Sequence, residues 1–257
     1  MKIVVLVKEV PDTYGERKLD LETGLADRDA GDRVLDEIGE RAVELAVTLA
    51  EHIPGTEVVL LSAGPVTVPA SLRKGLAIGA SSAVHVLDDR MQGADLTLTA
   101  QVLAGAVQRI GFDLVIAGDV STDGTGGVIP SMVAELLGVA SATNLAEVEL
   151  DDGQLRGERL SDAGVTRLSV ALPAVISVTE RLPEARFPSF KGIVAAKKKP
   201  LDVLTLGEIG VDPDAQMPRS IMVAVAQKPA RAAGVTIVDS GDGGTRIAEF
   251  LVENRLV

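Results

Sequence analysis

No cysteine occurs in the 257 residues, which removes disulfides, thiolate catalysis, cysteine-ligated iron–sulfur clusters and cysteine zinc sites together. Redox chemistry, if there is any, has to come from a bound cofactor. Histidine is almost as scarce: His52 ends a helix-like stretch and His85 sits inside the apolar alternation of Ala83 to Leu87. Neither has a neighbouring metal-ligand pattern, so both are read as structural and no metal site is expected. Positive charge is in deficit, and a formal net charge of −12 argues against a nucleic-acid partner, because phosphate contacts need a basic face. The one basic run, Lys197 to Lys199, reads by itself as a solvated helix end. Long hydrophobic runs are also missing. The opening MKIVVLVKEV meets polar residues too soon for a signal peptide, and nothing reaches the ~20 apolar residues that span a bilayer. A cytoplasmic protein without direct membrane insertion is expected, or one whose targeting signal has already been removed.

What is present is aliphatic. Hydrophobic residues make up 46% of the chain but aromatics only 2%, a balance that suits buried parallel strands flanked by helices. Lys2 to Val7 reads as a buried strand and Asp36 to Glu51 as a helix. Glu57 to Ser62, Ala83 to Leu87 and Asp113 to Ala117 are further strands, separated by helices over Ser71 to Ile78 and Asp95 to Ile110. This alternation predicts an α/β fold with a doubly wound, mostly parallel sheet. Past Gly138 the rhythm changes to hairpins over Asn144 to Leu150, Leu155 to Leu160 and Val165 to Ala171, followed by a buried strand over Pro173 to Val178. From Val211 onward the core pattern fades until an amphipathic stretch at Thr245 to Asn254, which reads as an arm that packs on something else.

Ligands of such sheets bind beyond the carboxyl ends of the strands, near the point where strand order reverses. The loops after Val7, Ser62 and Ala117 are therefore the candidates. The most informative runs Gly118, Asp119, Val120, Ser121, Thr122, Asp123, Gly124, Thr125, Gly126, Gly127, Val128, Ile129 and leads into a helix-like stretch ending at Leu137. Small residues allow close backbone approach and N–H groups at a helix start bind phosphate oxygens, so a nucleotide phosphate fits here, as does an ordinary glycine-rich turn. Neither G-x-G-x-x-G nor G-x-x-x-x-G-K-[ST] is present. Leu61 to Pro65 adds a tight turn at the same sheet edge. A second feature is Val178 to Pro200, where Phe187 and Phe190, two of only four phenylalanines, stand in a Pro-rich loop. Exposed, they would be apolar anchors for a partner; otherwise they fold back onto the core.

ERLPEARFPSFKGIVAAKKKP at Glu180 to Pro200 resembles the signature of electron transfer flavoprotein β subunits. KIVVLVKEVPDT, DEIGERAVELAV, SAGP, KGLAIGA and EIGVD follow in the family's order, so the resemblance covers nearly the whole chain. It implies a fold of the adenine-nucleotide α-hydrolase type over residues 1–210, with an added β-hairpin region, and a C-terminal arm and helix over residues 211–257 that packs on an α subunit. It further implies a heterodimer in which the α subunit mainly holds FAD, with the Pro11 to Tyr14 loop approaching the flavin ring. AMP would be bound structurally by Leu6, Asp36, Glu37, Ile38, Gly39, Ala63 and the loop Gly118 to Ile129. Electrons would pass from acyl-CoA dehydrogenases of fatty acid oxidation, or related flavin dehydrogenases, to a quinone-linked oxidoreductase. Val178 to Pro200 would be the partner-recognition loop, with Arg186, Phe187, Phe190 and Lys191 in contact. Many relatives have Leu in place of Phe190, a Pro-Arg pair in place of Ala185-Arg186 and Asn-Pro-Phe in place of Asp36-Glu37-Ile38. No catalytic residue of its own is expected, and the chain is read as an electron carrier subunit. Competing readings are an electron-bifurcating subunit with a second FAD in the AMP site, a stand-alone adenine-nucleotide-binding protein, and a structural interaction protein whose glycine-rich loop is incidental.

Overall fold

The computed structural model describes every residue except 16, 216, 232, 233, 235 and 237. The chain forms two compact units, Met1–Val223 and Ala224–Val257. In the first unit the strands are β1 (Lys2–Leu6), β2 (Glu9–Pro11), β3 (Arg33–Leu35), β4 (Glu57–Ala63), β5 (Ser82–Val86), β6 (Leu114–Gly118), β7 (Ala140–Asp151), β8 (Gln154–Ser161), β9 (Gly164–Ala171), β10 (Ala174–Val178) and β11 (Leu201–Leu204). The helices are α1 (Glu37–His52), α2 (Val68–Ile78), α3 (Leu96–Ile110), α4 (Ile129–Leu137) and α5 (Phe190–Ala196). The second unit contains α6 (Gly243–Glu253).

Nine strands form one sheet in the order β11-β5-β4-β1-β6-β10-β7-β8-β9. Pairing is parallel from β11 through β7 and antiparallel from β7 to β9. Because successive side chains of a strand point to opposite faces, each central strand feeds two cores. Ile3 and Val5 of β1, Leu60 of β4 and Ile116 of β6 pack with α1 and α2 on one face. Val4 and Leu6, Leu61 and Val115 pack with α3 and α4 on the other. This is the doubly wound α/β arrangement, and the hairpin region is the β7-β8-β9 meander. β7 serves both parts. Its start pairs with β10 and its end with β8, and the register shifts in between, beside Asn144 at φ 58°. Asparagine tolerates that left-handed backbone, and its N–H is taken by Ser177 Oγ at 2.9 Å.

Three features depart from the sequence reading. Leu201–Leu204 adds an edge strand beside β5 where no strand was expected; half of its residues are exposed, so no apolar run marks it. β2 and β3 pair across an excursion of residues 12–32, which has no strand or helix periodicity to read. Lys199 is not a solvated helix-end residue. Its amine donates to the carbonyls of Leu76 at 2.8 Å and Ala80 at 2.5 Å, whereas Lys197 and Lys198 are exposed. The first unit also runs past Val211, whose N–H donates to Leu206 O at 3.0 Å; farther on, Arg219 N–H donates to Asp95 Oδ2 at 2.7 Å. No residue of α6 is buried. Among the described residues, no helix is long and apolar enough to cross a membrane.

Leu60 is fully buried in the central sheet beneath α2. Leu60→Ala is expected to lower the unfolding free energy by about 3 kcal/mol, measured by urea denaturation. A loss of under about 1 kcal/mol would contradict this packing.

Candidate functional site

β1 lies between β4 and β6, and the strand order reverses on either side of it. The carboxyl ends of these three strands open into a cavity of about 880 Å³, within the ~300–1,000 Å³ range of small-molecule sites. Of the residues expected to hold a nucleotide, Leu6, Asp36, Ile38, Gly39, Ala63, Gly118, Asp119, Ser121, Gly124, Gly126, Gly127 and Ile129 line it. Glu37, Val120, Thr122, Asp123, Thr125 and Val128 do not. Glu37, Val120, Thr125 and Val128 are exposed, while Thr122 and Asp123 shape the loop from behind.

The Gly118 to Ile129 loop is held by groups that precede it in the chain. Lys8 donates to Asp123 Oδ1 at 2.7 Å and Arg28 to Asp123 Oδ2 at 3.3 Å. Asp36, at the start of α1, accepts from Thr122 N–H at 3.0 Å, and Arg17 donates to Thr122 O. Asp119 N–H bonds Val178 O at 2.9 Å, tying the loop to β10. Gly118 is required by packing: a Cβ there would lie 2.5 Å from Ile38 Cγ2. Thr125 and Gly127 adopt left-handed backbone, φ 50° and 64°, and α4 follows at once with Pro130 in its first turn. Alternating handedness followed by a helix start gathers backbone N–H groups into an anion-binding concavity.

Two polar atoms of this wall, Asp36 Oδ1 and Thr122 Oγ1, are buried without a hydrogen-bond partner. Burial raises the Asp36 carboxyl above its ordinary value, and likewise that of Asp119. Asp123 goes the other way. Burial pushes it up, but the Lys8 hydrogen bond and charge outweigh that and leave it lowered.

Sequence reasoning missed the opposite wall. Asp20, Leu25, Asp27, Arg28 and Arg33 from the 12–32 excursion line the cavity, as do Lys8 and Glu9. Glu9 is buried and accepts from Thr67 Oγ1 at 2.5 Å and Ser71 Oγ at 2.9 Å, fixing β2 to α2. The one available signal was the length of charged, unpatterned chain between β1 and α1. His85 donates through Nε2 to Gly64 O at 2.9 Å, and His52 through Nδ1 to Thr48 O at 2.7 Å. No cluster of metal-ligating side chains occurs among the described residues.

The second region is also well defined. Phe187 and Phe190 are 98% and 81% exposed, which resolves the choice between anchors and core residues in favour of exposure. Arg186 lies along the surface of α1 and stays exposed: its guanidinium meets Glu44 Oε1 at 2.8 Å and Glu51 Oε2 at 3.1 Å. Its hydrogen bonds to Glu51 and Glu44 raise its pKa further. Lys191 is exposed. Tyr14, at the end of the Pro11 to Tyr14 loop, is 96% exposed.

The electron transfer flavoprotein domain family matches residues 23–209. The electron transfer flavoprotein subunit beta of Mycobacterium tuberculosis is 48% identical over 264 residues, covering 99% of each chain. The chain belongs to the electron transfer flavoprotein β subunits. The subunit beta of Bacillus subtilis is 31% identical over 91% of this chain and 90% of its own. Subunit CarD of the caffeyl-CoA reductase-Etf complex of Acetobacterium woodii is 31% identical over 84% of this chain and 82% of its own. As an electron transfer flavoprotein β subunit, the chain is an electron carrier protein, and the name of its family implies an α partner.

Asp123→Asn removes both ion pairs that hold the loop and is expected to cost about 1–2 kcal/mol at neutral pH. The sign with pH follows from a carboxyl lowered on folding: its contribution is full above the ordinary value of 3.8 and is lost as pH falls through the folded value beneath it. Urea unfolding of parent and variant should therefore converge in acid below pH 3.8. A difference that stays constant into that range would contradict the assignment.

Proposed function

We propose that this electron transfer flavoprotein β subunit binds AMP structurally in the sheet-edge cavity and docks a flavin dehydrogenase through Val178 to Pro200. Its α partner mainly holds the FAD. The carrying observation is that the loops after β1, β4 and β6 line one cavity whose Gly118 to Ile129 wall is pinned by Lys8, Arg17, Arg28 and Asp36.

The chemistry of the wall suits an adenine mononucleotide. Backbone N–H groups at Gly126, Gly127 and Ile129, which line the cavity, would take phosphate oxygens, and Lys8, Arg28 and Arg33 line the same cavity, each ion-paired to an aspartate. Asp36 Oδ1 lacks a donor, which a ribose hydroxyl or the adenine amine provides. The fold is of the adenine-nucleotide α-hydrolase type in this reading, with residues 1–210 as the nucleotide-binding part.

FAD supplies the electron transfer when it is bound. This chain contributes no general acid, base or nucleophile; it shapes the flavin's surroundings and presents a surface to the donor. Phe187 and Phe190 stand out from a Pro-rich loop on an otherwise acidic protein, as apolar anchors for a pocket on a dehydrogenase. Electrons would come from acyl-CoA dehydrogenases or related flavoenzymes and leave to a quinone-linked oxidoreductase, in the cytoplasm. The arm of residues 211–257 would pack on the α subunit, and the unburied Ile247 and Phe250 of α6 give it apolar surface to do so.

A second reading rests on the cavity volume. About 880 Å³ is roomy for a mononucleotide and admits a dinucleotide, so a second FAD in an electron-bifurcating complex is the alternative occupant.

Denaturing release and quantitation of nucleotides from the co-expressed heterodimer distinguishes these. One FAD and one AMP per heterodimer is the expected result; two FAD moves the reading to bifurcation, and neither nucleotide refutes it. Phe190→Ala is expected to raise KM for the heterodimer, as acceptor of a flavin dehydrogenase, by about tenfold or more, since burying a phenylalanine contributes ~2 kcal/mol. An unchanged KM would remove Phe190 from the docking surface.

A further inference from the structure

Helix α5 carries the exposed apolar face, yet it has only seven residues, too few to hold a helical conformation in water without help. Its help comes from α2, in a reciprocal arrangement. Arg73 of α2 donates through Nη1 to the carbonyls of Ala196 at 2.6 Å and Lys199 at 2.7 Å, at and just beyond the C-terminus of α5. Lys199 donates through Nζ to Leu76 O at 2.8 Å and Ala80 O at 2.5 Å, at the C-terminus of α2. Each helix end thus presents carbonyls to a cation from the other side, where the helix dipole also favours positive charge; Ala196 O is shared between Arg73 and the Lys199 N–H at 3.3 Å.

The fit between the two helices leaves no slack. A Cβ on Gly192 would come within 2.7 Å of Ala77 O, so the first turn of α5 lies directly on the last turn of α2. Ser189 caps α5 at Gly192 N–H, 3.0 Å away, and Ala196 is buried in the core. On the outer side Phe190, Ile193 and Val194 are exposed.

We propose that Arg73 and Lys199 are positioning residues for partner docking: the two cations clamp α5 onto α2, so that Phe187 and Phe190 stand preformed for the apolar pocket of a flavin dehydrogenase. This rests on the reading of Val178 to Pro200 as the docking segment. A loop already ordered before encounter does not lose conformational freedom on binding, so the clamp raises affinity without touching the partner. Lys199 belongs to the clamp rather than to a basic surface. Among the described residues it has no carboxylate in ion-pair range, and burial lowers its pKa from the ordinary lysine value.

The test uses the FAD-loaded heterodimer, with an acyl-CoA dehydrogenase saturated with its acyl-CoA as electron donor. Lys199→Met and Arg73→Met are compared with the conservative Lys199→Arg and with Phe190→Ala. Lys199→Met and Arg73→Met are each expected to raise KM for the heterodimer about tenfold, the effect of one charge-assisted hydrogen bond. The kcat, FAD content and rate of reduction by dithionite should remain those of the parent, and Lys199→Arg should restore most of the KM. Amide hydrogen exchange over residues 187–198 should quicken in Lys199→Met and not in Phe190→Ala. If Phe190→Ala raises KM and Lys199→Met does not, the clamp is overturned while docking through this face stands. If neither variant moves KM, the docking reading falls and the clamp with it. Loss of FAD or of the heterodimer in Lys199→Met, or exchange over 187–198 equal to the parent, would also overturn the proposal.

Discussion

Everything at the candidate site follows from the burial of β1. Its residues Ile3, Val4 and Val5 are fully inaccessible, and it is hydrogen-bonded to β4 on one edge and β6 on the other. A strand covered on both faces and paired on both edges offers a ligand nothing but its end. The chain leaves that end through Val7 and Lys8, and the neighbouring strands leave beside it through Ala63 and Gly118. Parallel pairing brings those three exits to one edge, and the crossovers return α1 and α2 to one face and α3 and α4 to the other. The cavity is therefore a consequence of topology before any side chain specifies its contents.

Side chains then decide what the cavity holds and how firmly. Loop Gly118 to Ile129 has few apolar groups to bury, so its shape depends on polar ties: Asp123 to Lys8 and Arg28, and Thr122 to Asp36 and Arg17. These ties come from residues 8–36, so the excursion before α1 and the loop before α4 fold as one wall pair. The exposed segment Val178 to Pro200 uses the same principle at another place. Arg186 against Glu44 and Glu51, Arg41 against Leu182 O, and the Arg73–Lys199 exchange fasten a largely exposed segment to α1 and α2 with charge-assisted hydrogen bonds, alongside the burial of Leu182 and Ala196. Phe187 and Phe190 are left free to face outward.

The sheet was legible because a strand buried on both faces is written as an unbroken aliphatic run, as in Ile3 to Val7, Val58 to Leu61 and Leu114 to Ala117. Gly118 to Ile129 was legible because close backbone approach and left-handed φ leave a composition trace of glycine, serine and threonine. Residues 12–32 were not, since a segment ordered by Asp20, Arg28 and Arg33 through turns and ion pairs has no period. β11 was missed for a related reason: Leu201–Leu204 is a short edge strand with Asp202 and Val203 exposed, so burial imposes little pattern on it. Lys199 was misread because a basic run in sequence does not show which amine turns inward; only the free carbonyls at the end of α2 reveal that. The seat of Arg186 on the surface of α1 depends on Glu44 and Glu51, more than a hundred residues away in sequence.

The most direct test is amide hydrogen exchange on the complex with the α partner, compared before and after stripping of the nucleotide proposed for the sheet-edge cavity. The account requires faster exchange on stripping in peptides covering residues 36–39, 63–65 and 118–131, with β1 and β6 themselves unaffected. Equal exchange in those three segments with and without the nucleotide would contradict it, because the loops gathered at the end of β1 would then not be what holds the ligand.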